Sequence, residues 1–212
     1  MEATNKFKIG FFNRIIFIVW LVSLSINYSQ AKWIEVSTDH FVIYSQQKES
    51  KVIETAQRLE KYHSSLNWLF KRQDVLPSPL NRLTIYVLKT RNKVRSLYNG
   101  DNKHVAAFYI GRSGRSIAFV SSIRKKNKGQ SSSEQILLHE YAHHYLMSST
   151  RKAYALWFNE GAAEFFSNVK FEKNGSLGLG LPAYNRKYDL SSGRVKAVPL
   201  TSLLDTSTYQ AN

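Results

Sequence analysis

Strand-like alternation of apolar and polar residues near position 40 gives way to a long stretch with helical spacing. Alternation covers Trp33–Val36 and Phe41–Tyr44, on either side of a turn-forming Ser-Thr-Asp, and predicts a β-hairpin. From Lys48 to Lys71 apolar residues recur every three or four positions, which predicts one amphipathic helix. The proline-containing stretch VLPSPL ends it. The apolar stripe of this helix is Val52, Ala56, Leu59, Tyr62, Leu66 and Leu69.

The middle of the chain is dominated by strand patterns. Arg82–Leu88 is rich in β-branched and aromatic residues and predicts a strand, and HVAAFYI and SIAFVSS flank the turn-forming GRSGRS and predict a second hairpin. The basic stretch Arg124–Ser133 contains no apolar residue and predicts a loop. Its charge run is either an anion-binding segment or, as is more common, a solvated loop. This order of elements predicts an α+β fold.

Two apolar-rich helices follow the basic loop. Ser131 with Glu134 three residues later forms a capping-box pattern, which predicts a helix that runs to about Met147. Its predicted core stripe is Leu138, Ala142, Tyr145 and Leu146. ALWFNEGAAEFF predicts the second helix, and FEKNGSLGLGLPAYN predicts a glycine-rich loop or hairpin.

The first 31 residues have a different pattern. A basic start, an uncharged apolar run from Ile15 to Ile26 and small residues ending at Ala31 predict a secretory signal peptide that is cleaved after Ala31. The apolar run is shorter than the about 20 residues that cross a bilayer. An uncleaved N-terminal membrane anchor is the alternative. In both cases we expect residues 32–212 to form one exported domain, periplasmic or secreted.

Composition adds a constraint on stability and one on partners. The chain has no cysteine, so an exported domain must depend on a packed core and not on disulfides. Residues 32–212 carry 27 Lys and Arg against 14 Asp and Glu, a net charge of +13. This excess predicts attraction to an anionic envelope surface. No nucleic-acid motif of known spacing is present, so nucleic acid is not the expected partner, and the sequence leaves the oligomeric state open.

Three of the six histidines lie in LLHEYAHHY, residues 137–145. His139 and His143 are four residues apart and share a helix face with Glu140, whereas His144 points elsewhere. Two imidazoles at this spacing can bind one zinc ion, and the glutamate between them can reach a metal-bound water as its general base. The alternative is a solvated helix face with two histidines.

Two glutamates on the following predicted helix extend this pattern. Glu160 lies 17 residues beyond His143, in an apolar run expected to bury its helix against the first, where a carboxylate is costly unless it is paired or binds a metal. Glu164 is one turn further on the same face and suits a carboxylate that supports a ligating histidine. The small residues of Gly161–Ala163 permit close helix approach. The alternative is that both glutamates form an exposed acidic edge.

These motifs carry a family resemblance. HEYAH followed by NEGAA resembles the gluzincin metallopeptidases, and WFNEGAAEFF, WIEVSTDHFVIYS and AAFYIGRSGRSIAFV together are most similar to the peptidase-MA-like proteins exported by bacteria. The resemblance runs from about Trp33 to Leu204 and is tight only in the two helices. It implies a zincin-like fold with a small mixed or antiparallel sheet, a metal-binding helix and a following glutamate helix. It also implies that the substrate lies along an edge strand, here SIAFVSS.

The resemblance also assigns roles by position. His139, His143 and Glu160 would bind Zn²⁺, Glu140 would be the catalytic base and Glu164 would support a ligand histidine. The expected function is a zinc-dependent peptidase that hydrolyses peptide bonds of a peptide or protein substrate. The alternative is a catalytically inactive zincin-like binding module of the cell envelope that recognises an anionic polymer or partner.

Several features remain without a role in this interpretation. Relatives continue into further helices beyond LTSLLDTSTYQAN, so one expectation is a domain truncated at its C-terminus. Tyr154, Tyr184 and Tyr188 are candidates by residue type for a second oxyanion donor, and none is assigned. The histidines isolated in sequence, which are expected to be structural or solvated, are His40, His63 and His104.

Overall fold

The structure, a computed structural model, describes residues 32–99, 105–112, 114–122, 132–148, 154–183 and 198–205. The predicted signal peptide and most of the predicted basic loop lie outside these ranges, as do Ser131, His104, Tyr184 and Tyr188. Within them the fold is mixed α and β, with a five-stranded sheet and helices packed on it. The α+β class predicted from the sequence is therefore confirmed.

The five-stranded sheet combines parallel and antiparallel neighbours. Its strands are β1 Ile34–Ser37, β2 Phe41–Ser45, β3 Leu83–Leu88, β4 Ala107–Ile110 and β5 Ile117–Ser121. Their order is β1-β2-β3-β5-β4, with β2, β3 and β5 parallel to one another. β1 and β4 pair antiparallel at the two edges, which confirms both predicted hairpins.

The predicted edge strand is wrong. SIAFVSS forms β5, which lies between β3 and β4, and the edge on that side is β4. β5 buries Ala118 and Val120 in the core, whereas every residue of β4 is only half-buried. The strand of this hairpin that docks on β3 is therefore the more buried one, and its partner is left at the edge.

The helices differ in how well local pattern predicts them. They are α1 Glu49–Leu69, α2 Arg91–Leu97, α3 Ser132–Ser148, α4 Leu156–Ser167 and α5 Leu200–Leu204. β6 Lys170–Phe171 and β7 Leu177–Gly178 form a small hairpin after α4, one of the two predicted possibilities. α2 and α5 were not predicted because each is short and has no periodic apolar stripe; α2 buries only Val94.

None of the helices in the described ranges combines the length and apolar character needed to cross a membrane.

The main core lies between the sheet and helices α1 and α3. Five of the six residues in the predicted α1 stripe are buried, and the exception, Leu69, is at the end of the helix. All four residues of the predicted α3 stripe are buried as well. The strands contribute Phe41, Ile43, Ile85 and Val120 to the same core. Leu138 and Tyr145 of this stripe lie in the core against the sheet, whereas Ala142 and Leu146 are buried outside it. The other sides of α3 therefore face other neighbours.

Helix α4 packs on α3 with small residues in the contact, and three of its bulky apolar residues are exposed. Ala163 is fully buried, while Leu156, Phe158 and Phe165 are exposed. The expectation that the bulky residues bury α4 against α3 is therefore wrong for these three. Phe158 and Phe165, with neighbours that include Phe70, line an apolar cavity of about 360 Å³.

Candidate metal centre

The first part of the site is built by one turn of α3. His139 and His143 are both largely buried, and their Nε2 atoms lie 3.1 Å apart. Glu140 lies beside them on α3. Leu138 and Tyr145 of α3 lie in the core against the sheet, and His139 and His143 lie on another side of the helix, toward α4. Helical spacing alone brings the two imidazoles together, as the sequence predicts.

Helix α4 adds a carboxylate that meets both imidazoles. Glu160 Oε2 is 3.4 Å from His139 Nε2, and Glu160 Oε1 is 3.5 Å from His143 Nε2. One potential ligand atom from each of the three residues lies within 4.8 Å of the others, close enough to share one metal ion. The side chain of Glu160 is 53% exposed, so the expected cost of burying it is wrong. Its position, and not its burial, makes it a candidate ligand.

Glu164 lies on the other side of the His139 ring. Its Oε2 is 3.6 Å from His139 Nδ1, a distance that suits an ion pair and is too long for a hydrogen bond. The Asn168 side-chain amide also donates to Glu164 Oε1 at 3.5 Å. His143 differs, because its Nδ1 is buried and has no hydrogen-bond partner among the described residues. The two imidazoles therefore have unequal support.

Burial changes the proton affinity of the site residues. Burial, and to a smaller extent the charge of Glu160, raises the pKa of Glu140 to about 7. Burial and the neighbouring charge of His143 lower the pKa of His139 and favour the neutral imidazole, which is the form that binds metals. The arrangement therefore combines a neutral imidazole with a carboxyl group that exchanges its proton near neutral pH.

His144 faces away from this centre, as predicted, and has a partner that the sequence did not indicate. Its Nδ1 is 2.8 Å from the hydroxyl of Tyr109, which also lies 3.1 Å from Ser116 Oγ. Tyr109 is on β4, so the contact joins the edge strand to α3. Tyr109 and His144 are 35 residues apart, and no local pattern connects them.

The remaining candidates have simpler surroundings or unexpected ones. Tyr154 is partly exposed and packs its ring on Phe158, with ring centroids 5.0 Å apart, and no contact gives it a role at the centre.

His40 and His63, isolated in sequence, are neighbours in the structure, with ring centroids 3.9 Å apart. Sequence reasoning missed this pair because β2 and α1 bring the residues together.

Comparison with known proteins assigns no family to the chain. No protein-family model matches it, and a search of curated proteins finds no match. The functional proposal therefore depends on the residues and their geometry.

Proposed function

We propose that this chain is a zinc-dependent peptidase of the gluzincin type with a zincin-like fold, which acts outside the cytoplasm. In this proposal His139, His143 and Glu160 bind Zn²⁺, Glu140 is the general base and Glu164 supports His139. The observation that carries it is the convergence of two Nε2 atoms and one carboxylate, contributed by two helices, on a single point.

The distances between the ligand atoms suit a tetrahedral zinc ion. Atoms about 2.0–2.1 Å from a tetrahedral zinc are about 3.3 Å from one another. The two Nε2 atoms are 3.1 Å apart, and the Glu160 carboxylate lies 3.4 Å from His139 Nε2 through Oε2 and 3.5 Å from His143 Nε2 through Oε1. Two imidazoles and one carboxylate also form a ligand set typical of catalytic zinc, which keeps a fourth position for water or substrate. Zinc bound there would supply a Lewis acid that acidifies water and polarises a carbonyl group.

Glu140 is the residue best placed to move protons. It follows His139 directly on α3, and its carboxylate is separate from the three ligand atoms. As general base it takes a proton from the attacking water and returns it to the leaving amine, so one group serves both halves of peptide hydrolysis. Glu160 cannot take this role while its carboxylate binds the metal.

The edge strand β4 is the proposed site for the substrate backbone. An extended peptide can add a strand to a sheet through main-chain hydrogen bonds at an exposed edge. β4 has this edge position and is joined to α3 through Tyr109 and His144. β5, the strand expected from the sequence, pairs on both sides with other strands and offers no free edge.

Two isosteric substitutions test the proposal. Glu140→Gln should retain zinc and lower kcat by about 10²–10⁴-fold, because it removes the base and leaves the ligands intact. Glu160→Gln should release the metal, because it removes one of three protein ligands and the charge that zinc requires. Zinc content by elemental analysis and cleavage of a mixed peptide library should be measured on the same preparations.

Glu172→Gln is the matched control. Glu172 is an exposed carboxylate paired with Lys170 at 2.7 Å and has no contact with the centre, so its loss should change neither measurement. Zinc retained in Glu160→Gln would show that Glu160 is not a ligand. Wild-type protein that contains no zinc and cleaves no peptide, yet still binds an anionic envelope polymer, would favour the binding-module alternative.

A further inference from the structure

A second group of metal-binding side chains lies away from the centre on α3 and α4. His40 comes directly before β2, His63 is on α1, and Asp74 is in the segment after α1. Asp74 Oδ1 is 2.9 Å from His63 Nε2 and 3.1 Å from His40 Nε2. One potential ligand atom from each residue lies within 4.8 Å of the others. Two imidazoles and one carboxylate therefore meet at a point with no contribution from the first centre.

Both imidazoles are held through the nitrogen that faces away from the cluster. His40 Nδ1 is 2.7 Å from Glu60 Oε2, and the backbone amide of His40 also donates to Glu60 Oε1 at 3.0 Å. His63 Nδ1 is 2.5 Å from the hydroxyl of Tyr141. Hydrogen bonds of this kind orient metal-ligating histidines and direct Nε2 toward the metal. His40 and His63 thus have the supporting hydrogen bonds at Nδ1 that ligand histidines have in known types of metal site.

The polar atoms of the cluster face one point. His40 Nε2 is buried and makes no hydrogen bond within the described part of the chain, although Asp74 Oδ1 is near it. The amide nitrogen of Asn67 donates toward both His63 Nε2 at 2.9 Å and Asp74 Oδ1 at 3.0 Å. The amide of Asn67 therefore contacts the same two atoms that a metal ion bound here would contact.

We propose that His40, His63 and Asp74 form a second site for Zn²⁺ or a transition metal with similar ligand preference. Nitrogen and carboxylate oxygen ligands favour zinc among the abundant divalent cations. Three protein ligands leave a further coordination position, and His40 and His63 line a cavity of about 1000 Å³ from which another ligand can reach it. Asp74 is 49% exposed, which provides a route by which the metal enters.

This proposal does not depend on the peptidase activity, and the test separates the two. In the full chain carrying His139→Ala and His143→Ala, the first centre is removed, so Co²⁺ should still bind at one site per chain and give the absorption bands of a low-coordinate ion. Loss of a supporting residue weakens metal binding by about 10–100-fold. Adding Asp74→Asn removes a ligand and should therefore weaken the binding of Co²⁺ by more than that. Adding Glu172→Gln instead, which removes an equally exposed carboxylate elsewhere, should leave it unchanged.

Two results would overturn the second site. The first is a chain with His139→Ala and His143→Ala that binds no Co²⁺, and the second is binding that Asp74→Asn does not weaken. Circular dichroism of each variant checks folding. If the double substitution prevents folding, Asp74→Asn alone, at a half-exposed position, should still lower bound Zn²⁺ by one ion per chain relative to Glu172→Gln. Failure of the first centre would appear separately, as no difference in bound metal between the wild type and the double variant.

Discussion

At the scale of single residues, the three glutamates near His139 differ in their surroundings. Glu140 is half-buried on α3, and partial burial raises its pKa to about 7. Glu160 is half exposed, and Glu164 is the more buried of the two glutamates on α4. Glu160 contacts two Nε2 atoms, while Glu164 contacts only the Nδ1 side of His139. These differences are consistent with the three roles that we propose for them, a base, a ligand and a supporting carboxylate.

The supporting role predicts an intermediate effect for Glu164. Glu164→Ala should weaken zinc binding by about 10–100-fold, because it removes the carboxylate beside His139 Nδ1 and leaves all three ligands in place. Glu164→Gln should lose less, since its amide oxygen still places a negative partial charge beside His139 Nδ1. Competition for zinc with a chromophoric chelator measures both affinities. Zinc affinity lost completely in Glu164→Ala would instead identify Glu164 as the ligand.

At the scale of elements, the first centre depends on how closely α4 approaches α3. Ala163 is fully buried in this contact, one turn from Glu160. Gly161 also lies near Glu160 but is exposed, and a methyl group added to it would meet no atom within 4 Å. The expectation that the small residues permit close approach thus applies to Ala163 and not to Gly161.

These two positions form a matched pair for a test of the helix contact. Ala163→Leu should destabilise the protein by about 1–3 kcal/mol, because the larger side chain overpacks the contact between α4 and α3. It should also lower the zinc content, because the displaced α4 moves Glu160 away from the imidazoles. Gly161→Ala should stabilise the protein by about 0.4–1 kcal/mol, because alanine leaves the unfolded chain fewer conformations than glycine does. This variant should keep the zinc. Urea unfolding and metal analysis measure both effects. Equal stability of the two variants would contradict the described contact.

At the scale of the whole molecule, α3 separates the two candidate centres. Its His139 meets Glu160 on one side, whereas its Tyr141 contacts His63 and forms part of the second cluster's surroundings on another. Both centres therefore depend on the placement of one helix against the sheet. The first centre is completed by α4, and the second by the segment after α1 and the residue before β2.

The net charge predicts a property of the molecule that is separate from either centre. Residues 32–212 carry a net charge of +13, so retention on an anionic matrix should fall steeply between low and high salt. The reason is that exposed charges are screened beyond about 8 Å at physiological ionic strength. Elution from heparin or dextran sulfate columns across a salt gradient measures this, with an uncharged agarose column as control. Salt-independent retention would contradict an electrostatic surface.

Local pattern in the sequence was sufficient for most elements and for half of the first centre. The apolar stripes of α1 and α3 are buried as their periodicity predicts, and both predicted hairpins form. His139, Glu140 and His143 share one side of α3 because helical geometry alone relates positions four apart. These features depend on neighbours within a few residues along the chain, so the sequence by itself determines them.

Contacts between distant segments decided the rest. The edge strand of the second hairpin is set by which of its two strands pairs with β3. Glu160 meets the imidazoles only because α4 packs on α3. The pairing of His40 with His63 requires β2 and α1 to pack together, and Asp74 joins them only where the chain returns after α1. No periodicity records such contacts, because they arise from packing across the core and not from the geometry of one element.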